Sequence, residues 1–422
     1  MISVLDTVAP QDRRELLASL LLKRHRQAFP TLARKAFFNF GAQGLLPRPA
    51  LAAMLSYHDE IERAAPLSLE GVAAMLLTLR RSRTALAVEL GASEENLALV
   101  ENASTGCNIA LWGIDWQPGD HLVVSDREYP GVREAAAVVA RRFGLTVTSW
   151  RIEEASDRQL AGLEACLTPR TRAVLVSHVP WDTGEVLPLA EISTLCQRPD
   201  GGRILLLVDG AQSAGVLPLD LPALGVDVYA FPGHKWWCGP EGTGGLYVGP
   251  AALAELSPAF VGSRGLTFSR EGAVTGFRAG AARFEVSTSS PALCSALAAA
   301  VAVHGEWGTS AARLERIHKL VLRLWEGLGA LGPRRVLRLQ PLPPQAGLVF
   351  FRPHGIDPQA LVRALEARNL VVRSMPHADS VRASVHYFNQ ESEVDELLAA
   401  LEALCPQSRE QRKDRGSRPS NG

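Results

Sequence analysis

The sequence predicts an α/β fold, with a mainly parallel, doubly wound sheet in a large domain and a smaller α+β domain toward the C-terminus. Two observations carry this. First, short apolar runs alternate with stretches of helical spacing; the runs are Leu97–Val100, His121–Ser125, Thr146–Trp150, Arg172–His178, Ile204–Val208, Val226–Phe231 and Gly245–Val248. Strand–helix alternation of this kind builds parallel sheets. Most of the runs are nearly continuous in apolar residues, as strands buried on both faces must be. Second, the order changes after about residue 330. Strands are expected near Gly347–Phe351, Val371–Arg373 and Ala383–His386, and helices near 358–368 and 391–404.

The remaining elements follow in chain order. Residues 11–28 and 50–90 carry apolar positions at spacings of three and four and read as helices. Between them, Asn39–Pro47 is punctuated by Gly and Pro and reads as a loop. Helical spacing returns over 290–330. The tail from Pro406 to Gly422 is polar, with five Lys/Arg against two acids, and is expected to be disordered.

Composition excludes several classes of function. The chain has 422 residues, 47% of them hydrophobic and 21% charged, which suits a large globular protein. Lys+Arg and Asp+Glu both number 44, so no global field draws it to nucleic acid or to an anionic membrane. Met1–Leu20 contains Asp6, Asp12, Arg13, Arg14 and Glu15 and has no uninterrupted apolar core, so it does not resemble a signal peptide. Apolar runs such as Ile204–Val208 and Leu297–Val303 fall far short of the roughly 18 residues needed to span a bilayer. The six cysteines, at 107, 166, 196, 238, 294 and 405, form no CxxC pair or other metal spacing. They read as reduced core residues, so a cytoplasmic location and no bound metal are expected.

The chemistry concentrates in two segments, Ile204-Leu-Leu-Leu-Val-Asp209-Gly-Ala-Gln-Ser-Ala-Gly215 and Tyr229-Ala-Phe-Pro-Gly-His-Lys-Trp236. The first delivers a carboxylate at the C-terminal end of a strand, where open α/β sheets bind their ligands. The second ends a strand with Lys235 beside His234. Desolvation and nearby positive charge lower a lysine's pKa and free its amine for imine formation. Alone, Asp209 would read as a helix cap and Lys235 as solvated surface. Their spacing and the following glycines (239, 242, 244 and 245) make a shared site the better reading. A dinucleotide-binding fold is disfavoured, because no GxGxxG follows the first strand.

The two segments resemble the pyridoxal 5′-phosphate (PLP) site of fold-type I enzymes in the class V aminotransferase and cysteine desulfurase superfamily. The likeness runs from about Asn39 to Leu404 and is nearest to the cystine/cysteine C–S lyases. Its further motifs are Asn39–Pro47, Thr105-Gly-Cys-Asn108, Leu111-Trp-Gly-Ile-Asp-Trp116, Trp181-Asp-Thr-Gly-Glu-Val-Leu-Pro188 and Arg283-Phe-Glu-Val286. The resemblance implies PLP fold type I, with an N-terminal helical segment (1–35) packing on the small domain. It implies a large PLP-binding domain over 36–288 and a small domain over 289–405. It also implies a homodimer with the sites at the interface, so that residues around Val261-Gly-Ser-Arg264 and Ser287-Thr288 approach the partner's cofactor, with Thr288 near a phosphate.

Carried over residue by residue, Lys235 would hold PLP as a Schiff base and later shuttle the Cα proton. Asp209 would pair with the pyridine nitrogen, Ala211 would pack on one ring face, and Gln212 would bond the phenolic oxygen. Ser104, Thr105 and the amides around Gly106 would bind the phosphate at a helix N-terminus, with a further contact from His234. Tyr129 falls where the family places the aromatic that stacks on the other ring face, and many relatives have His there. Pro232 stands where relatives often have a hydroxyl, and Trp181 and Asp182 lie on a loop that often partners the phenolic oxygen. Arg382 and Arg373 match the family's substrate-carboxylate arginines, with Arg382 favoured by its Arg-Ala-Ser-Val-His-Tyr-Phe-Asn context.

Desulfurases of this superfamily need a cysteine on the loop after the first of these arginines. Here that loop, Ser374–Ser380, has none. The expected activity is therefore C–S β-lyase, eliminating from cystine, cysteine or an S-substituted cysteine. An aminotransferase, epimerase or decarboxylating deaminase is the alternative. A desulfurase or a non-catalytic scaffold ranks lower.

Overall fold

The computed structural model describes residues 19–152, 156–198, 202–375 and 378–406. The readings made for residues 1–18, for the tail beyond 406, and for Pro376 and His377 of the loop therefore lie outside the described residues.

Seven strands form the main sheet: β1 (Leu97–Val100), β2 (His121–Ser125), β3 (Thr146–Trp150), β4 (Thr171–Ser177), β5 (Leu205–Asp209), β6 (Val228–Pro232) and β7 (Gly244–Val248). Their spatial order is β1-β7-β6-β5-β4-β2-β3. All run in one direction except β7, which is antiparallel to both of its neighbours. Alternate residues feed opposite cores: Val123, Val174, Leu206 and Tyr229 point into one, and Leu122, Val124, Leu175, Leu207 and Ala230 into the other. That alternation across two apolar cores is what a doubly wound sheet requires. Only the edge strand β3 is largely exposed, with Trp150 its one fully buried residue. β7 fits against β6 because Gly245 has no side chain: a Cβ there would lie 2.3 Å from the Phe231 ring.

A second sheet is antiparallel. It contains β8 (Val336–Arg338), β9 (Leu348–Pro353), β10 (Arg373–Met375) and β11 (Ser380–Ser384), in the order β8-β9-β11-β10. Buried residues of both its faces, Phe350 on one and Val381 and Ala383 on the other, join the same core as one face of the main sheet. The N-terminal stretch ties onto this part of the molecule. Helical residues 19–26 carry Arg26, which bonds Glu393 and the Phe388 carbonyl, and His25 bonds the Tyr387 hydroxyl at 2.8 Å. Ala36 and Phe37 pair in parallel with Leu370 and Val371.

Several boundaries differ from expectation. The helix read over 50–90 is two helices, α1 (Arg48–Ala64) and α2 (Leu69–Glu89). Pro66 cannot continue a helix, Ala65 and Leu67 turn at φ 62 and 64, and Ser68 caps α2 by accepting from the Gly71 amide. The stretch over 290–330 likewise divides, at Gly308 and Thr309, into helices Pro291–Trp307 and Ser310–Leu331. The expected strand Val371–Arg373 splits between two partners, because Leu370–Val371 pairs with residues 36–37 and Arg373 belongs to β10. A hairpin at Leu266–Phe268 and Val274–Phe277 carried no strand signal. No described helix is long and apolar enough to cross a membrane.

Candidate active site

The cavity lies at the C-terminal ends of the parallel strands. Asp209 is the last residue of β5 and is buried; its Oδ1 accepts the Ala211 amide at 2.8 Å. Burial raises its pKa and the nearby Lys235 opposes that rise. Lys235 lies three residues beyond β6 in a turn closed on both sides. The Gly233 amide donates to Thr243, the Cys238 amide to Lys235, and the Gly44 amide to His234. Gly44 has no alternative here, since a Cβ would sit 2.1 Å from the Lys235 carbonyl oxygen. Burial lowers the Lys235 pKa to about 8; Asp209 opposes this, and Arg382 and Arg373 add to it. A free amine is therefore accessible near neutral pH.

Gln212 is tied at both ends of its amide, donating to the Gly41 carbonyl at 2.9 Å and accepting from the Trp236 indole at 3.1 Å. One of its N–H bonds remains available. Across the cavity, helix α3 (Ala103–Gly113) presents its N-terminus, capped by Asn102, whose side chain accepts the Thr105 amide at 2.8 Å. The first amides of a helix, with its positive dipole end, form an anion site.

Arg382 on β11 and Arg373 on β10 stand directly opposite each other in register. Like charges paired this way destabilise a sheet unless an anion joins them. Arg382 is buried, donates from Nη1 to the Trp181 carbonyl at 3.1 Å, and leaves Nε without a partner. Burial, then Arg373, lowers its pKa to about 10.

One cavity of about 480 Å³ collects Ser104, Tyr129, Asp209, Ala211, Gln212, His234, Lys235, Arg373 and Arg382 from the expected site. Pro232 and Trp181 line it too. Three expected residues stand apart. Thr105 and Gly106 follow the lining residues into α3, and Gly106 packs on the sheet, where a Cβ would meet that of Ala230 at 2.8 Å. Thr288 is exposed and lines no part of its own chain's cavity. Asp182 is not among the lining residues; its Oδ2 pairs with Arg127 at 3.5 Å while its Oδ1 is buried without a partner, and Arg264 is engaged by Glu285 of its own chain. Sequence reasoning missed Gly41, Ala42, Asn102, Ser177 and Val179, all of which line the cavity. The Asn39–Pro47 motif was a signal for the first two. Asn102, two residues before Ser104, is a recognisable helix cap.

A strand-end acid, a desolvated lysine and a helix N-terminus around one cavity define an enzyme of the PLP type. The class-V aminotransferase family matches residues 37–397, and the chain belongs to it. Among its relatives, the isopenicillin N epimerase of Streptomyces clavuligerus is 32% identical over 87% of this chain and 94% of its own length. A probable cysteine desulfurase of Methanothermobacter thermautotrophicus is 28% identical over 90% of this chain and 97% of its own. The solved structure of the cystine C–S lyase C-DES with cysteine persulfide superimposes with a TM-score of 0.85 at 39% identity, covering 90% of this chain and all of that one (100%). A second C-DES structure holds glycine linked to PLP.

The protein is thus a PLP-dependent enzyme, and its own residues fit that group. Lys235 offers the amine, and no described hydrogen bond occupies the second oxygen of Asp209. His234 has a buried Nδ1 without a partner beside the N-terminus of α3 in the cavity wall. A planar ring finds Ala211 and Tyr129 among the lining groups.

Proposed function

We propose that this enzyme is a C–S β-lyase acting on cystine, cysteine or an S-substituted cysteine. By α,β-elimination it releases pyruvate, ammonia and a thiol or persulfide. One observation carries the choice of reaction: none of the six cysteines lines the cavity. Burial pushes the thiols up in pKa, to about 12 for Cys196 and Cys238 and about 11 for Cys294. A protein-bound persulfide needs an accessible thiolate, and this cavity supplies none. Elimination asks only for a base at Cα and a leaving group at Cβ.

When bound, PLP supplies the electron sink that stabilises negative charge at the substrate Cα. Lys235 is then the base that takes the Cα proton, and its lowered pKa suits proton transfer near neutrality. Asp209 would keep the ring nitrogen protonated. Ala211 and Tyr129 would confine the ring, and Gln212, with one N–H left free, would bond the phenolic oxygen. Ser104, the amides that open α3 and His234 would hold the phosphate, with Thr105, whose amide is taken by Asn102, one position deeper in the helix. Arg382 orients the substrate through its α-carboxylate, with Arg373 as the outer cation. Each charge-assisted bond from such an arginine contributes roughly 1.5–3 kcal/mol. Val179 and Trp181 add apolar surface to the cavity wall.

The same reading takes 36–288 as the large domain and 289–405 as the small one, with the segment up to 35 on the latter. It also takes the active form as a homodimer in which Thr288 serves the partner's phosphate.

Incubation with cystine and S-alkyl cysteines, scored by pyruvate release, tests the reading. Absence of pyruvate from every sulfur substrate overturns it. The 32% identity to isopenicillin N epimerase supports a second reading, epimerisation at Cα. In that case the amino acid would be recovered intact but with its Cα configuration inverted or scrambled.

A further inference from the structure

Glu128 is a buried acid that none of these roles uses. It is 2% exposed and lies between Arg127 and Tyr129. Three donors converge on it: Ser125 Oγ at 2.5 Å and the Ser177 amide at 2.6 Å on Oε1, and Ser177 Oγ at 2.9 Å on Oε2. No ion pair to it is found among the described residues. Taking a carboxylate out of water without a counter-ion is costly, and these three bonds are what satisfy it.

The bonds have a particular geometry. Ser125 ends β2 and Ser177 ends the neighbouring β4. Ser177 stands in register with Asp209 and lines the cavity. Between them the chain leaves β2, turns at residues 126–128 and enters helix α4 (Pro130–Phe143), with Tyr129 at its N-cap. The Tyr129 side chain has little else to hold it. Its hydroxyl makes no hydrogen bond among the described residues, and its ring meets Trp181 edge-on at 5.9 Å. Its place in the cavity therefore comes from its backbone, and the backbone one residue earlier is pinned through Glu128.

We propose that Glu128 is a positioning residue for the cofactor: its carboxylate clamps the Tyr129 turn to the end of β4 and so sets where the Tyr129 ring meets PLP. The proposal rests on PLP occupying this cavity and is independent of the lyase reaction. Glutamine has the same shape. Its oxygen keeps the two Oε1 bonds, and its amide can donate to Ser177 Oγ, which also accepts. Alanine abolishes the clamp.

The test measures PLP release from the full-length holoenzyme and the visible circular dichroism of the bound cofactor. Glu128→Ala is expected to release PLP about tenfold faster and to diminish the dichroic band, as loss of buried hydrogen-bond partners implies. Glu128→Gln should stay within about threefold of the parent. In a Tyr129→Ala background, Glu128→Ala should add almost nothing, because the two residues act as one unit. Unchanged release in Glu128→Ala, or a full additional loss in the Tyr129→Ala background, overturns the proposal. Should Glu128→Ala fail to fold, Ser125→Ala removes one of the three bonds without touching the cavity wall. It should shift both readouts in the same direction, and no shift counts against the clamp.

Discussion

The two sheets reach the same cavity but build their share of it differently. The seven-stranded sheet supplies Asp209 from its interior, where β5 is paired on both sides and Asp209 is in register with Ser177 and with Ala230. Lys235 follows from the adjacent strand in a turn closed by its own hydrogen bonds. The four-stranded sheet supplies Arg373 from an edge strand, with Arg382 opposite it and a short loop between. On the proposed reading, the interior strand ends set what the cofactor does and the edge pair sets what is brought to it.

The largest expected effect breaks the first half of that comparison. Lys235→Ala should abolish the covalent cofactor absorbance and lower turnover by more than about 10³-fold, as loss of a group acting as both nucleophile and base implies. A variant that kept turnover would remove Lys235 from the chemistry altogether. Arg382→Ala should separate the two sheets' contributions. The cofactor spectrum should stay as in the parent, while kcat/KM falls about 100-fold through loss of charge-assisted bonds. Loss of cofactor in this variant would show that the small sheet also holds PLP. Arg373→Ala, at the exposed edge, should cost only about tenfold, and mainly in KM.

How legible each half was in the sequence follows the same division. Asp209 and Lys235 stand out because a charged residue ends an apolar run, and burial of the strand leaves that charge nowhere else to go. Arg382 had no such mark, since a single arginine, even beside an apolar strand, reads as a surface ion pair; only the family resemblance singled it out. Glu128 was invisible. An acid in Asp-Arg-Glu-Tyr-Pro reads as solvated, and its burial depends on Ser177, 49 residues away. The break at Pro66 was written in the sequence but lost under strong helical spacing on both sides.

The pH dependence of cofactor capture sharpens the claim about the main sheet. Burial depresses the Lys235 pKa from 10.5 to about 8. Only the neutral amine attacks an aldehyde, so capture should rise with pH, tenfold per unit below about 8, and level off above it. A normal lysine would keep rising to above pH 10. The depressed value also bears on stability. Between roughly pH 8 and 10.5 the unfolded chain holds a proton that the folded apoprotein has released, so the cost that burying the charged amine places on folding is relieved as pH rises through that window. A capture profile that still climbs at pH 10 would mean that the desolvation inferred from the fold is absent in solution.

The smallest expected effect decides a question between the sheets. Tyr129 lines the cavity from the main-sheet side and is 48% exposed. It is either a ring platform or an acid. As a platform it needs only its aromatic face, and Tyr129→Phe keeps that face whole. Its hydroxyl makes no hydrogen bond among the described residues, so no described group orients it to deliver a proton. Tyr129→Phe should therefore change kcat within about twofold and leave PLP release unaltered. Tyr129→Ala, which removes the platform, should speed PLP release by about tenfold or more. If phenylalanine instead cost about 100-fold in kcat with cofactor retention intact, the hydroxyl would be protonating the leaving group. The choice of reaction would then rest with the main sheet as well as with the arginine pair.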